Sequence, residues 1–222
     1  MLKNLLDSVE ALVFDLDGVI ADTAKFHYEA WKHLLEDLGF QIDPNESEQL
    51  KGVGRIQALE TLLTNRGIDF PYSKKVELAE RKNAYYVKLL SLVDEGFLLP
   101  GGMEFVSLAK ERGYKTALAT ASKNAHIILN KTRICSYFDV IVDGTMVKRT
   151  KPDPEIFLLT AKRLKAKPEK CVVFEDAYAG IEGAKKAGMK CIGIGKPEVL
   201  SNADFVVDSL ASAVKMFGNE HY

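Results

Sequence analysis

Short apolar runs recur along the chain, separated by segments whose apolar residues are spaced as in helices. The first run, Ala11–Phe14, leads into Asp15, Leu16 and Asp17 and then a glycine, a pattern that predicts a buried strand opening into a turn. Five later runs predict further strands. They cover residues 115–120, 138–142, 171–174, 190–194 and 205–207.

Helical patterns alternate with these strands from residue 96 onward, which predicts βαβ units and a right-handedly wound parallel sheet. Residues 23–93 differ, because they contain helical patterns alone, at 23–39, 46–50, 56–67 and 73–92. We therefore predict an α/β fold, a doubly wound Rossmann-like parallel sheet with an inserted α-helical cap domain. The core would comprise residues 1–22 and 94–222, and the cap residues 23–93.

Composition excludes several classes of protein. The 222 residues carry 30 Lys and Arg against 31 Asp and Glu. The chain therefore lacks the excess of basic residues that would indicate a nucleic-acid partner. The first ten residues include Lys3, Asp7 and Glu10, unlike a signal peptide, and no apolar run is long enough to cross a membrane. The 3 cysteines are widely spaced and fit neither a disulfide framework nor a zinc site. A reducing, cytoplasmic location is expected.

The acidic residues after the first strand are the first candidate for chemistry. Asp15 and Asp17 are two apart and would share a face of the strand, where two bare carboxylates repel unless a cation or proton intervenes. Oxygen ligands of this kind suit Mg²⁺. The alternative is an Asp-rich turn before the next helix, for which Thr23 is a candidate N-cap.

Further polar residues follow other predicted strands. Thr120 ends the second strand, Lys151 lies in the loop KPDPEIF, and Glu175 and Asp176 follow the run CVVF. Each is an ordinary turn, surface or helix-cap residue when taken alone. Together with Asp15 they predict a site in which a metal ion neutralises the carboxylates while the hydroxyl and the ammonium bind a phosphoryl group. Asp15 could then attack phosphorus, since aspartate forms aspartyl-phosphate intermediates.

This combination resembles the haloacid dehalogenase superfamily, in the same order and over the whole chain. The resemblance rests on DLDGV at residues 15–19, Thr120, Lys151 with Pro152, and Glu175 with Asp176. It implies that Asp15 is the nucleophile and Asp17 the general acid/base, with Thr120 and Lys151 as further catalytic residues. It also implies Mg²⁺ as cofactor. The ligands would be Asp15, the Asp17 carbonyl and Asp176, with Glu175 assisting directly or through water.

A closer resemblance is to the β-phosphoglucomutase family. It spans ADTAKFHYEAW, LKGVGR, RKNAYYVK, ATASKN and VVFEDAYAGI, all written as they stand in this chain. Spacing alone favours His27 as a buried core histidine, whereas the resemblance implies that His27, Arg55 and Lys82 meet the substrate from the cap. The implied substrate-binding residues are His27, Trp31, Lys51, Gly52, Val53, Gly54, Arg55, Lys82, Asn83, Ala121, Ser122, Lys123 and Asn124. The chain departs from the family at Thr120 and Ala177, where serine is common.

The resemblance implies a phosphomutase that interconverts β-D-glucose 1-phosphate and glucose 6-phosphate. A Mg²⁺-dependent sugar-phosphate phosphatase with the same core is the first alternative, because water could accept the phosphoryl group. A non-catalytic sugar-phosphate sensor is the second, although binding alone would not require both Asp15 and Asp17. A small-molecule sugar phosphate is the expected partner, with no nucleic acid, no membrane and a monomeric state.

Overall fold

A computed structural model describes residues 2–218 and contains a parallel sheet of 6 strands in the order β3-β2-β1-β4-β5-β6. The strands are β1 Ala11–Phe14, β2 Lys115–Ala119, β3 Val140–Val142, β4 Cys171–Glu175, β5 Lys190–Ile194 and β6 Phe205–Val207. The chain builds outward from β1 through β2 and β3, then returns to the other side of β1 with β4. The strand order therefore reverses beside β1, where ligand crevices form in open α/β sheets. The predicted doubly wound fold is confirmed.

Helices cover both faces of this sheet. The α-helices of the described residues are α1 Leu2–Leu6, α2 Ala24–Asp37, α3 Pro44–Gln49, α4 Arg55–Thr64, α5 Tyr72–Leu90, α6 Gly102–Glu111, α7 Ala125–Thr132, α8 Glu155–Leu164, α9 Tyr178–Lys186 and α10 Leu210–Gly218, of which α2–α5 lie off the sheet faces. Alternate residues of β1 supply the two apolar cores. Leu12 and Phe14 pack with α1, α6, α7 and α10, whereas Ala11 and Val13 pack with α8 and α9.

Helices α2–α5 lie between β1 and β2 in the chain and share an apolar cluster of their own. Trp31 and Leu35 of α2 pack there against Leu59 and Leu62 of α4 and Leu78 of α5. The cap helices also join the main core through Tyr86 and neighbouring residues. The helices therefore have an independent core beside the carboxyl ends of the strands, as the predicted cap requires, and the domain boundary itself stays a prediction.

Local details differ from the sequence prediction at a few points. Thr23 is the N-cap residue of α2, but its side chain makes no cap hydrogen bond and donates to Asp17 instead. Helix α1 is additional, and its Leu2 and Leu6 are buried against α10 and the sheet. Strand β3 begins at Val140 rather than 138, since the Asp139 carboxylate accepts the Thr116 N–H at 2.8 Å. Within residues 2–218, none of the helices has the length and hydropathy of a membrane span.

Candidate active site

The sheet brings the predicted acidic residues together at the carboxyl ends of its central strands. Phe14 is in register with Leu118 of β2 on one side and Phe174 of β4 on the other. The residues that follow these positions include Asp15, Thr120 and Glu175, which therefore converge at one edge. Beneath them, the Phe14 and Phe174 rings stack at 4.8 Å between centroids, which gives the site a closely packed base.

Lys151 is buried beneath the site and contacts two of its carboxylates. Its Nζ lies 2.5 Å from Asp15 Oδ1, 2.7 Å from Glu175 Oε1 and 3.1 Å from the Ala119 carbonyl, and the side chain is wholly buried. Burial opposes its charge, but the two carboxylates outweigh that effect and raise the pKa of Lys151. All three ammonium hydrogens are thus directed at protein oxygens. In the structure Lys151 fixes Asp15 from below and does not itself line the cavity.

Three carboxylates form a group suited to a metal ion. One oxygen each from Asp15, Glu175 and Asp176 lie within 4.8 Å of one another. Two glycines make room for them, because a Cβ on Gly18 would lie 2.2 Å from Asp176 Oδ2 and one on Gly180 would lie 1.6 Å from Glu175 Oε1. Burial and the Asp15 charge raise the pKa of Asp176 to about 7 and that of Glu175 well above its usual value. A cation bound here would relieve this repulsion, so the residues fit a divalent metal.

Asp17 lies apart from this carboxylate group. Its Oδ1 accepts the Thr23 hydroxyl hydrogen bond at 2.5 Å, and its Oδ2 lies 3.8 Å from His27 Nε2. Burial, followed by the Asp15 charge, raises the pKa of Asp17 to about 6. The Asp17 carboxylate is not among the three clustered carboxylates, and the role of its main-chain carbonyl as a metal ligand stays a prediction. The carboxyl group is directed toward the cap.

A cavity of about 470 Å³ opens above Asp15 and Asp17, between the strand ends and helices α2, α4 and α5. Thr120 and Asp176 also line it, as does each of the predicted substrate-binding residues. These are His27, Trp31, Lys51, Gly52, Val53, Gly54, Arg55, Lys82, Asn83, Ala121, Ser122, Lys123 and Asn124. Lys151 and Glu175 do not line the cavity, so the structure brings the predicted site residues into one neighbourhood and separates those that line it from those that support it.

Half-buried His27 and buried Lys82 form a polar pair on the cap side. Lys82 Nζ lies 2.9 Å from His27 Nδ1 and above the rings of Trp31, at 4.7 Å, and Tyr86, at 4.8 Å. Burial and the nearby Arg55 charge lower the pKa of Lys82 to about 7, and burial with the Lys82 charge lowers the pKa of His27 well below its usual value. An anionic ligand in the cavity would favour the charged form of Lys82. His27 is thus a half-buried residue that lines the cavity, rather than the buried core histidine that its spacing favoured.

Arg55 begins helix α4 and faces the cavity from the cap. Its Nη1 donates to Glu80 Oε1 at 2.7 Å. A guanidinium has five N–H donors, so this contact leaves Arg55 able to bind a phosphate as well. The loop before it turns through Gly52 at φ 72°, and Lys51 Nζ lies 3.7 Å from Asp176 Oδ2. The cap loop therefore reaches the carboxylate group of the core.

Hydrogen bonds join the cap to the core around the cavity. Asn124 Nδ2 donates to Asn83 Oδ1 at 2.9 Å, and the Gly54 N–H donates to Thr150 Oγ1 at 3.2 Å. A Cβ on Gly54 would lie 2.6 Å from Thr150 Oγ1, so this approach of the two chains depends on glycine. The cap therefore lies close to the strand ends on this side of the cavity.

Sequence reasoning missed several residues of this site. Glu80 and Thr150 contact Arg55 and Gly54 across long sequence separations, which no local pattern reveals. Tyr86 could have been found, because it lies four residues after Lys82 on α5 and so shares its face. Its position among apolar residues of α5 indicates only a packing role.

Comparison with known proteins identifies the protein family of this chain. A model of the haloacid dehalogenase-like hydrolase family matches residues 9–188, and the chain belongs to this family. The matched segment includes β1 with Asp15 and Asp17, the cap helices, and β4 with Glu175 and Asp176.

Within this family, the chain is similar to several characterised or structurally determined members. The chain is 41% identical to the β-phosphoglucomutase of Bacillus subtilis (strain 168) over 201 residues, which are 90% of this chain and 89% of the relative. It is similar to the crystal structure of a β-phosphoglucomutase from Clostridium difficile, with a TM-score of 0.88, 41% identity and 96% of each chain covered. A phosphorylated carbohydrates phosphatase from Thermotoga maritima is 36% identical over 187 residues, 83% of this chain and 84% of that protein.

Proposed function

We propose that the protein is a phosphomutase that interconverts β-D-glucose 1-phosphate and glucose 6-phosphate through a phosphorylated Asp15. The observation that carries this proposal is that one cavity between the cap and the core is lined by a candidate nucleophile, Asp15, from the core and by a cationic side chain, Arg55, from the cap. A sugar bisphosphate intermediate needs both, because one phosphate reacts while the other is held. The similarity to two β-phosphoglucomutases over most of the chain supports the same function.

The proposed reaction has two phosphoryl transfers. In the first, the sugar C6 oxygen attacks the phosphorus of phosphorylated Asp15, Asp17 takes the hydroxyl proton, and the bond from phosphorus to the Asp15 carboxylate breaks. The resulting glucose 1,6-bisphosphate reverses its orientation. Asp15 then attacks the C1 phosphate, and Asp17 returns the proton to the leaving C1 oxygen. Atoms and charge balance, and Asp15 is phosphorylated again as glucose 6-phosphate leaves.

The other residues of the cavity hold and cover the substrate in this proposal. Thr120 and the loop through Asn124 bind the reacting phosphate, while Lys151 keeps Asp15 oriented from below. Arg55 holds the remote phosphate, and Lys82 with His27 approaches the sugar. The closely placed cap excludes water, which protects the acyl phosphate from hydrolysis.

We further propose Mg²⁺ as the metal, held by Asp15, Asp176 and the Asp17 carbonyl, with Glu175 assisting directly or through water. The carboxylate oxygens of the described cluster are the hard ligands that Mg²⁺ prefers. When bound, Mg²⁺ would neutralise charge on the reacting phosphoryl group. The proposed partner is a small sugar phosphate, and the proposed state is a monomer in the cytoplasm.

A sugar-phosphate phosphatase is the second candidate, favoured by the similarity to the Thermotoga maritima phosphatase. Phosphorus NMR of the protein with Mg²⁺, β-glucose 1-phosphate and a trace of the bisphosphate separates the two. We expect glucose 6-phosphate without release of inorganic phosphate. Inorganic phosphate as the main product would overturn the mutase in favour of the phosphatase. Absence of phosphoryl transfer from β-glucose 1-phosphate, from the bisphosphate and from acetyl phosphate would favour a non-catalytic sugar-phosphate sensor.

Arg55→Ala should impair the mutase reaction far more than the phosphorylation of Asp15 by acetyl phosphate, which has no remote phosphate. Loss of a charge-assisted contact costs about 2–5 kcal/mol. That corresponds to a roughly 30- to 5,000-fold lower mutase kcat/KM if the contact persists in the transition state. The measurement is both rates in wild type and variant.

Arg81→Ala is the matched control, because Arg81 lies on α5 but pairs with Asp37 away from the cavity. Its ion pair is solvent-exposed, so the substitution should leave both rates near the wild-type values. Equal losses of both rates in Arg55→Ala would mean that Arg55 supports folding or closure in general, and its remote-phosphate role would be abandoned.

A further inference from the structure

Tyr86 carries a polar atom that neither the fold nor the proposed mechanism uses. The residue lies on α5, lines the cavity and is 1% exposed. Its ring packs on His27, with 4.1 Å between centroids. Among the described residues 2–218, however, its hydroxyl has no hydrogen-bond partner.

An unpartnered buried hydroxyl is costly, and buried polar groups in folded proteins are nearly always paired. Phenylalanine would pack in the same space without that cost. The adjacent Tyr85 shows the contrast, since it is only partly buried and packs its ring on His33. Packing therefore explains the Tyr86 ring and leaves its hydroxyl unexplained.

The surroundings of the hydroxyl indicate what its partner is. Burial, followed by the Asp17 charge, raises the pKa of Tyr86, and nearby Ser122 opposes this increase, so both residues lie close to the hydroxyl. Both neighbours have other contacts, since Asp17 accepts from Thr23 and the Ser122 hydroxyl accepts the Asn124 N–H. In the proposed mechanism, Asp17 handles the proton of the reacting oxygen, and Ser122 lies in the loop that binds the reacting phosphate. Under the proposed function, the transferring phosphoryl group therefore lies near both residues, in the cavity that Tyr86 also lines.

We propose that Tyr86 is a further substrate-binding residue, whose Oη donates a hydrogen bond to an oxygen of the transferring phosphoryl group. This inference rests on the proposed function for the position of that group. It requires only that a phosphoryl group reach Asp15, so it applies to a small donor as well as to a sugar phosphate.

Tyr86→Phe tests the inference through two reactions and one stability measurement. The melting temperature of the free protein should be unchanged or higher, because the variant removes an unpaired buried group and retains the ring. The rate of Asp15 phosphorylation by acetyl phosphate and the mutase kcat/KM should both fall by about 10- to 150-fold, as expected for a lost hydrogen bond to a charged group. Tyr85→Phe, the same change outside the cavity, should alter neither rate.

The possible results separate this inference from the proposed function. Wild-type rates in Tyr86→Phe would overturn the inference. A lower melting temperature together with the loss of activity would also overturn it, because the Tyr86 hydroxyl would then have a hydrogen-bond partner within the protein. A loss confined to the mutase rate would also overturn it, because the contact would then be to the sugar. If the wild type accepts phosphoryl from acetyl phosphate but makes no glucose 6-phosphate, the mutase proposal fails while the acetyl phosphate rates still test Tyr86.

Discussion

Asp15→Ala should abolish both mutase turnover and phosphatase turnover, because no carboxylate remains to accept the phosphoryl group. Asp15 follows the central strand β1, and its carboxylate lines the cavity. Lys151 fixes the position of this carboxylate through a hydrogen bond. Incubation with acetyl phosphate should leave the variant unphosphorylated by mass spectrometry, whereas the wild type gains one phosphoryl group.

The fold of the Asp15→Ala variant needs a separate check, since Lys151 loses one of its two carboxylate partners. The single tryptophan, Trp31, lies in the apolar cluster of the cap and reports on its packing through fluorescence. With the native spectrum retained, substantial turnover in protein free of wild type would rule out Asp15 as the nucleophile.

Asp17→Asn should lower mutase turnover by roughly 10²–10⁴-fold, which is the usual contribution of a positioned general acid/base. Asparagine has nearly the same shape and can keep the Thr23 contact, but it cannot take or return the proton. The Asp17 side chain lies outside the carboxylate cluster, so Mg²⁺ affinity measured by titration calorimetry should change little.

Asp22→Asn is the matched control for this change, because Asp22 lies on the same segment and its side chain is paired with Lys25 in an exposed contact. Its turnover should equal that of the wild type. A normal rate in Asp17→Asn would show that another group transfers the proton. A large loss of Mg²⁺ affinity would instead assign the carboxyl group of Asp17 to the metal site.

Much of this fold could be predicted because the sheet is buried on both faces. Its strands are therefore continuous apolar runs, and the run at Ala11–Phe14 is recognisable without knowledge of its neighbours. The alternation with helices then determined the parallel topology. Helix α1 was missed because five residues are too few to show a period, and its burial depends on α10 from the far end of the chain.

The candidate site was predictable where the chemistry follows strand ends, and less so where distant segments meet. Acidic residues after β1 and β4 converge in any parallel sheet that places these strands side by side. The triple contact of Lys151 was not predictable, since it depends on how the loop before α8 passes beneath Asp15 and Glu175. The Thr23 hydroxyl likewise could serve its helix or Asp17, and only the folded geometry decides between them.

The close contact between Gly54 and Thr150 also bears on which bisphosphates the cavity can select. Arg55 follows Gly54, and Lys151, which fixes Asp15, follows Thr150, so the two segments that would define the phosphate positions touch directly. Under the proposed function, this contact sets a fixed span between the two phosphates of the intermediate. An intermediate that binds in both orientations presents the same span each time, although its sugar ring is reversed. Selection by phosphate spacing would then accept both orientations of a hexose bisphosphate and reject a shorter sugar that cannot reach both positions.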